Sequence, residues 1–368
     1  MDKTNGQTLA GARGSSVTLR VVDGGLSTPQ KTSSIHSAEL TVVPRTGGCS
    51  EISRAIDRVN ALSTTVKDIH RIVRGGKLPE LNHARYVIDA IIDDFTDELD
   101  ALFWALTANG RMYHLCRRSV GCVIWALAMG RALQLDRKSL HELMLGALLL
   151  DIGKLRVPVV ILVKAGGLSD TEHRFARRHV SEGVRIVEAI NHRHPGELSA
   201  EIVEMVRSHH ERVDGSGYPC RLQRDEISLY AQIAAIIDSY DALSVSRYYA
   251  DGVSGDAALV TLRRQHEKFD PDLLELFCNA IGDYPTGTWV EFSDGSTGVV
   301  CGQDADEGTA RVALIADEQQ QPFLEVRWLS LHQHNAVRVL PPAERPAHAG
   351  AMERSLQSAI YAFRPRRF

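Results

Sequence analysis

The 368-residue sequence has no apolar run approaching the ~18 residues that span a bilayer. Its start, Met1–Gly25, lacks the basic-then-apolar order of a secretory signal. Both absences predict a cytoplasmic chain with no membrane insertion. Six cysteines (Cys49, Cys116, Cys122, Cys220, Cys278, Cys301) are scattered with no C-x-x-C pair, which argues against a disulfide framework and a thiolate zinc site. Charge of one sign is also missing: 42 basic residues stand against 46 acidic ones, a net charge of −4, so a nucleic acid polymer is disfavoured as the main partner. No Phe, Trp or Tyr precedes Tyr86, and Met1–Gly48 is rich in Gly, Ser and Thr, so residues 1–50 are expected to form a flexible arm. What is present, 44% hydrophobic and 24% charged residues, suffices for a globular core.

From Glu51 to Arg74, Ile52, Val59, Val66 and Val73 recur every seven residues, with Ala55, Leu62 and Ile69 three positions later. That spacing predicts a helix with a narrow apolar seam. The seam either packs on its own domain or pairs two chains as a homodimer through residues 52–73. Gly75-Gly76 and Pro79 break it, and a second amphipathic stretch runs from Ile88 to Leu106, giving a helical region over residues 51–109 with the form of a helical hairpin. Helical periodicity then dominates residues 110–283, and an apolar helix near Leu140–Ile152 is expected at the centre of the core. At Tyr284-Pro285 the character changes. Trp289–Phe292, Thr297–Val300, Ala310–Leu314 and Ala336–Leu340 read as short strands joined by Gly/Asp turns, a small β-barrel-like module over residues 284–342. Residues 343–368 hold a short helix over Met352–Phe363 and a basic tail. The fold class is mainly α, with this β module appended.

A few His and Asp residues carry the chemistry. Asp151, in Leu148–Lys154, is expected inside a helix with no polar face, and burying its charge uncompensated would cost several kcal/mol. Its cationic partner is either Lys154, one turn on, or a metal ion. Asp238 repeats the problem at the end of Ile233–Ile237. His209 and His210 share a face with Ile202, Val203 and Val206 and should point inward, where they serve as hydrogen-bonded core residues or as metal ligands. His179 joins them on an arginine-rich helix.

The stretch His209–Pro219 resembles the HHExxDGxGYP signature of the HD-GYP proteins, bacterial phosphodiesterases that hydrolyse cyclic di-GMP. The flanks agree. Asp151-Ile152-Gly153-Lys154 with Val157-Pro158 is similar to HDIGKxxxP, Leu162–Leu168 to LxKpgxL, Asp238–Leu243 with Arg247 to DxyDALtxxR, and Phe269-Asp270-Pro271 to FDP. The resemblance spans about Val66 to Leu340. It implies an all-helical domain with a two- or three-metal centre of iron or manganese, Asp151 and Lys154 as catalytic residues, and Asp151, His179, His209, His210 and Asp238 as metal ligands. It also implies that Asp214, Gly215, Gly217, Tyr218, Pro219 and Arg247 contact cyclic di-GMP or a diguanylate cyclase partner.

Two positions depart from the pattern. The His of the HD pair falls on Leu150, and an earlier ligand His falls on Arg118. Leucine has no lone pair, and arginine stays protonated and only donates, so neither coordinates a cation. In the family geometry both losses strike one metal, while Asp151, His179, His209 and His210 would still hold the other. The expectation is an arginine-for-metal replacement in which Arg118 forms a forked pair with Asp151 and Asp238. At most one tightly bound divalent ion is then expected, on a protein that binds cyclic di-GMP or a cyclase partner. The alternative is an active or weakly active phosphodiesterase, with His114, one turn before Arg118, as a substitute ligand. A third reading leaves the histidines structural and gives the work to the β module.

Overall fold

In a computed structural model, residues 50–95, 99–108, 112–162, 164, 166–244, 253–303, 309–331, 337–341 and 344–345 are described. They form helices α1 (Ser50–Arg74), α2 (Asn82–Phe95), α3 (Leu99–Ala108), α4 (His114–Ala132), α5 (Arg137–Leu149), α6 (Val159–Leu162), α7 (Asp170–Arg193), α8 (Ala200–Ser208), α9 (Leu229–Ser244), α10 (Gly255–Arg264) and α11 (Pro271–Ile281). Strands β1 (Trp289–Glu291), β2 (Thr297–Gln303), β3 (Ala310–Ala316), β4 (Pro322–Leu331) and β5 (Arg338–Val339) follow. The described residues fall into two compact units, one helical and ending at Thr288, the other the sheet. The expected arm and the helix over Met352–Phe363 lie outside the described residues.

The seven-residue stripe builds α1 and is consumed inside the helical unit. Ala55, Val59, Leu62, Val66, Ile69 and Val73 are at most 4% exposed, and α1 packs on α2, α3 and α4. Of the two roles open to the stripe, packing within its own domain is the one seen, and the alternative homodimer through residues 52–73 is left without an exposed seam. The amphipathic stretch after it is two helices, α2 and α3, rather than one.

Two helices form the centre. α4 is buried along nearly its whole length, from Cys116 to Gly130, and packs against α1, α5, α9 and α11. α5 is apolar from Leu143 to Leu149, and its start is fixed by the Asp136 carboxylate accepting the N–H groups of Lys138 and Ser139. The apolar helix expected near Leu140–Ile152 ends three residues early. The chain turns at Leu150 and Asp151 and continues as a 3-10 turn over Ile152–Arg156. This turn lies so close to α7 that a Cβ on Gly153 would overlap the His179 carbonyl oxygen and the Gly183 nitrogen, so glycine is the residue that fits there.

The second unit is an antiparallel sheet in the order β4-β3-β2-β1-β5. β1 and β2 join through the turn expected at Ser293–Ser296: Gly295 adopts φ 88°, and the Ser296 N–H donates to Asp294 Oδ1 at 2.8 Å. β4 is a strand that sequence periodicity did not reveal. It occupies one edge of the sheet and opens on Pro322, the place where a residue without an N–H is tolerated.

Candidate metal centre

Three helical segments bring the predicted ligands together. α7 is started by a capping box between Ser169 and Glu172, and Lys164 holds the Glu172 carboxylate at 2.7 Å. The Lys164 hydrogen bond, with two more from Ser169, holds the Glu172 carboxyl down to about 2. Seven residues after Glu172, His179 faces inward at 3% exposure. α8 is capped by Ser199 and ends at Ser208, so His209 and His210 follow where the chain leaves the helix. Asp151 arrives from the turn after α5.

Their ligand-type atoms converge. One atom each from Asp151, His179, His209 and His210 lies within 4.8 Å of the others. Asp151 Oδ1 is 3.6 Å from His179 Nε2 and 3.8 Å from His209 Nε2, and His210 Nε2 is 3.1 Å from His179 Nε2. Tautomers follow from the outer hydrogen bonds: Nδ1 of His179 donates to the Ala176 carbonyl at 2.7 Å, and Nδ1 of His209 to that of Val206 at 3.1 Å. Each Nε2 lone pair is thereby aimed into the cluster, the arrangement that orients metal-binding imidazoles. Burial, helped by Lys154, pushes the His179 pKa down to about 4. Burial likewise lowers His209, and with the two neighbouring imidazoles it lowers His210 far below its ordinary value. All three rings are neutral at pH 7, as ligation requires. Among the described residues, Asp151 Oδ1 and His209 Nε2 are buried and have no hydrogen-bond partner. An orphaned carboxylate oxygen beside three imidazole nitrogens fits one divalent ion.

The other carboxylate oxygen is engaged differently. Asp151 Oδ2 is 2.6 Å from Lys154 Nζ and 3.5 Å from Arg118 Nε. Burial favours the neutral acid, but Lys154 and then Arg118 outweigh it and hold the Asp151 carboxyl well below the usual carboxylate range.

Arg118 stands in a cage of three carboxylates. Its side chain is 4% exposed; Nη2 donates to Asp238 Oδ1, Nε faces Asp151, and Nη1 lies 3.7 Å from Asp241 Oδ2. The expected fork onto Asp151 and Asp238 is thus one short hydrogen bond to Asp238 and two longer ion-pair contacts. Burial alone would favour losing the guanidinium proton, yet Asp238, Asp151 and Asp241 together push its pKa up, so it remains a cation. Asp241, fully buried and raised by that burial, also accepts from Trp125 Nε1 at 3.1 Å and from Arg117 at 3.3 Å. Asp241 is a site residue beyond those expected from the sequence. The available signal was spacing: Asp238 and Asp241 lie one turn apart on an apolar helix, and Arg118, Cys122 and Trp125 share the facing side of α4.

The remaining predicted residues sit around this centre. Asp238 Oδ2 is 3.9 Å from His210 Nδ1, yet Asp238 is outside the convergent four and belongs to the Arg118 cage. His114 opens α4 one turn before Arg118 and is likewise not in the converging group. Leu150 is buried in the core at 1% exposure. Arg247 lies outside the described residues.

The Asp214–Pro219 loop folds back on His210. The Ser216 N–H donates to Asp214 Oδ1 at 2.9 Å, Gly215 takes φ 75°, and Tyr218 stacks on the His210 ring with centroids 4.6 Å apart. Gly217 is pressed against the Glu211 backbone, where a Cβ would collide. Pro219, exposed, follows a cis Tyr218-Pro219 peptide. Glu211, whose role the sequence did not disclose, is 1% exposed and accepts three backbone N–H groups, from Cys220 at 2.6 Å, Arg221 at 3.1 Å and Leu222 at 3.0 Å.

Residues 103–273 match the family model described as HD domain. The helical unit thus contains an HD domain, at residues 103–273. A cyclic di-GMP phosphodiesterase of Pseudomonas aeruginosa is 32% identical over 253 residues, 69% of this chain and 60% of the relative. A 3'3'-cGAMP-specific phosphodiesterase of Vibrio cholerae is 39% identical over 127 residues, 34% of this chain and 24% of the relative. The chain thus spans less than two thirds of the length of these relatives. A solved HDGYP protein from Bdellovibrio bacteriovorus superposes with a TM-score of 0.52 at 17% identity, over 63% of this chain and 72% of that one, which shows a shared fold. Among the described residues no helix is long and apolar enough to cross a membrane.

Proposed function

We propose that the helical unit is a cyclic di-GMP signalling module that binds the dinucleotide at a one-metal half-site and turns it over far more slowly than complete phosphodiesterases. The observation that carries this reading is Arg118 inside its three-carboxylate cage. A guanidinium there brings positive charge to Asp238, Asp151 and Asp241 where an ion would, but it supplies no open coordination position and does not acidify water. Asp151, His179, His209 and His210 would hold the single ion, iron or manganese. Such an ion supplies Lewis-acidic charge for a phosphoryl oxygen. Lys154, partly exposed beside Asp151, is placed to meet an anionic ligand, and Tyr218 stacks on the His210 ring beside the cluster. The similarity to cyclic di-GMP phosphodiesterases supports the choice of ligand class.

The test is a turnover assay of the purified chain with cyclic di-GMP and manganese or ferrous iron, with metal analysis beside it. Binding with at most one ion per chain and negligible hydrolysis is expected. The double substitution Arg118→His with Leu150→His should raise hydrolysis at least tenfold. Two tightly bound ions and fast turnover by the unaltered chain would overturn the reading in favour of an active phosphodiesterase.

A further inference from the structure

The loop that closes on His210 carries a second feature at its outer face. The Arg177 guanidinium lies over the Tyr218 ring, 4.7 Å from its centroid, and Tyr218 in turn stacks on His210, whose Nε2 belongs to the convergent cluster. Guanidinium, phenol and imidazole form a column leading from solvent to the candidate metal. The column is rigid at its base, because Glu211 holds three N–H groups of the loop and Gly217 lies flat on the Glu211 backbone. Its outer end is an exposed cation. Several other arginines of the helical unit meet carboxylates, Arg185 with Glu182, Arg207 with Glu188 and Glu204, and Arg224 with Asp270, while Arg178 beside Arg177 lies over the Phe175 ring, which leads to no ligand cluster. Among the described residues no carboxylate lies within ion-pair distance of Arg177, which rests on the ring beneath it.

We infer that Arg177, held over Tyr218, is a specificity-determining residue that takes the second phosphate of a cyclic dinucleotide whose first phosphate lies at the Asp151–His179–His209–His210 cluster. The inference rests on the ligand class proposed above and goes beyond it by assigning a residue to the second charge. A planar guanidinium that gives one face to an aromatic ring keeps its edge N–H donors for a phosphate. A ligand with one phosphodiester at the cluster has nothing to place against it.

The experiment is calorimetric titration of the full chain and of Arg177→Ala and Arg177→Lys with two probes, cyclic di-GMP and the single-phosphate diester bis(4-nitrophenyl) phosphate. Arg177→Ala is expected to weaken cyclic di-GMP about tenfold, the loss of one charge-assisted phosphate contact. The single diester should be unaffected. Arg177→Lys should restore part of the affinity, and the difference should shrink between about 0.05 M and about 0.5 M salt as screening grows. Equal affinity of the unaltered chain and Arg177→Ala for cyclic di-GMP would overturn the inference while leaving the proposed function intact. Equal weakening of both probes would overturn it too, since it would mean that the Tyr218 ring had moved. A chain that binds no cyclic di-GMP at all would overturn the proposed function and this inference with it.

Discussion

Replacing Arg118 by methionine removes the cation from the cage and keeps most of its volume. The side chains of Asp238, Asp151 and Asp241 are 5%, 9% and 0% exposed, so water cannot take its place. The three carboxylates are not equally affected. Asp151 keeps Lys154 at 2.6 Å, and Asp241 keeps Arg117 at 3.3 Å together with the Trp125 N–H. Asp238 loses its hydrogen-bonded cation and retains the His210 ring at 3.9 Å and the more distant charge of Arg212. One stranded buried charge costs about 3–5 kcal/mol, a large share of the ~5–15 kcal/mol that holds a typical domain. Guanidinium chloride unfolding followed by circular dichroism, extrapolated linearly to water, measures the loss. Adding Asp238→Asn to the same chain removes the stranded charge and should recover most of it, which separates an electrostatic cause from a packing defect. A loss below about 1 kcal/mol for Arg118→Met, or no recovery with Asp238→Asn, would refute the idea that this guanidinium stands in for a catalytic cation.

Two further outcomes test neighbouring parts of the argument. Glu211→Ala leaves three loop N–H groups without their acceptor, so amide exchange at residues 220–222 should speed up at least tenfold, an opening cost lowered by roughly 2 kcal/mol; unchanged exchange would show that the carboxylate does not hold the loop. His70, 5% exposed on α1 with Nδ1 2.5 Å from the Tyr113 hydroxyl, has its pKa lowered from 6.5 to about 4 by burial and then by Arg74. As pH falls below 6.5 the unfolded chain takes up this proton first, while the folded chain resists until about 4, so the contribution is complete above 6.5 and is lost on acidification. Between pH 6.5 and 5 the loss is on the order of 2 kcal/mol. His70→Gln should flatten that part of the stability curve, and parallel slopes for the two proteins would exclude the assignment.

Much of the centre was legible because its chemistry restricts residue type. Inward-facing imidazoles after an apolar helix, and carboxylates in apolar runs, demand partners, and the structure brings Asp151, His179, His209 and His210 together. That residue 118 offers no ligand atom was equally readable, since a guanidinium has no lone pair whatever its surroundings. Contacts between distant segments were not readable. Asp241 meets Trp125 and Arg117 only because α9 packs on α4, and a carboxylate near a helix end looks like an ordinary solvated residue until that packing is known. The division of Glu211 among three amides depends on how the loop returns. In the sheet, β4 escaped notice because an opening proline reads as a strand breaker in isolation, whereas on an edge it costs no ladder bond.

Asp151 is where the two halves of the site divide, and the division falls between its own oxygens. Oδ2 is satisfied by Lys154 and approached by Arg118, while Oδ1 is left to the imidazoles. On the Oδ2 side three carboxylates, Asp151, Asp238 and Asp241, face three cations, Arg118, Arg117 and Lys154. That side is neutral as it stands, and a divalent ion entering it would meet a fixed positive charge in a region that water cannot screen. The Oδ1 side offers one shared carboxylate and three neutral rings, a donor set that gains from a cation and has no internal one. On the proposed function the fold separates two tasks that a bimetallic centre performs together: Asp151, His179, His209 and His210 would hold an ion that attracts a phosphate, while the position that would activate the nucleophile would be held by a side chain that cannot do so.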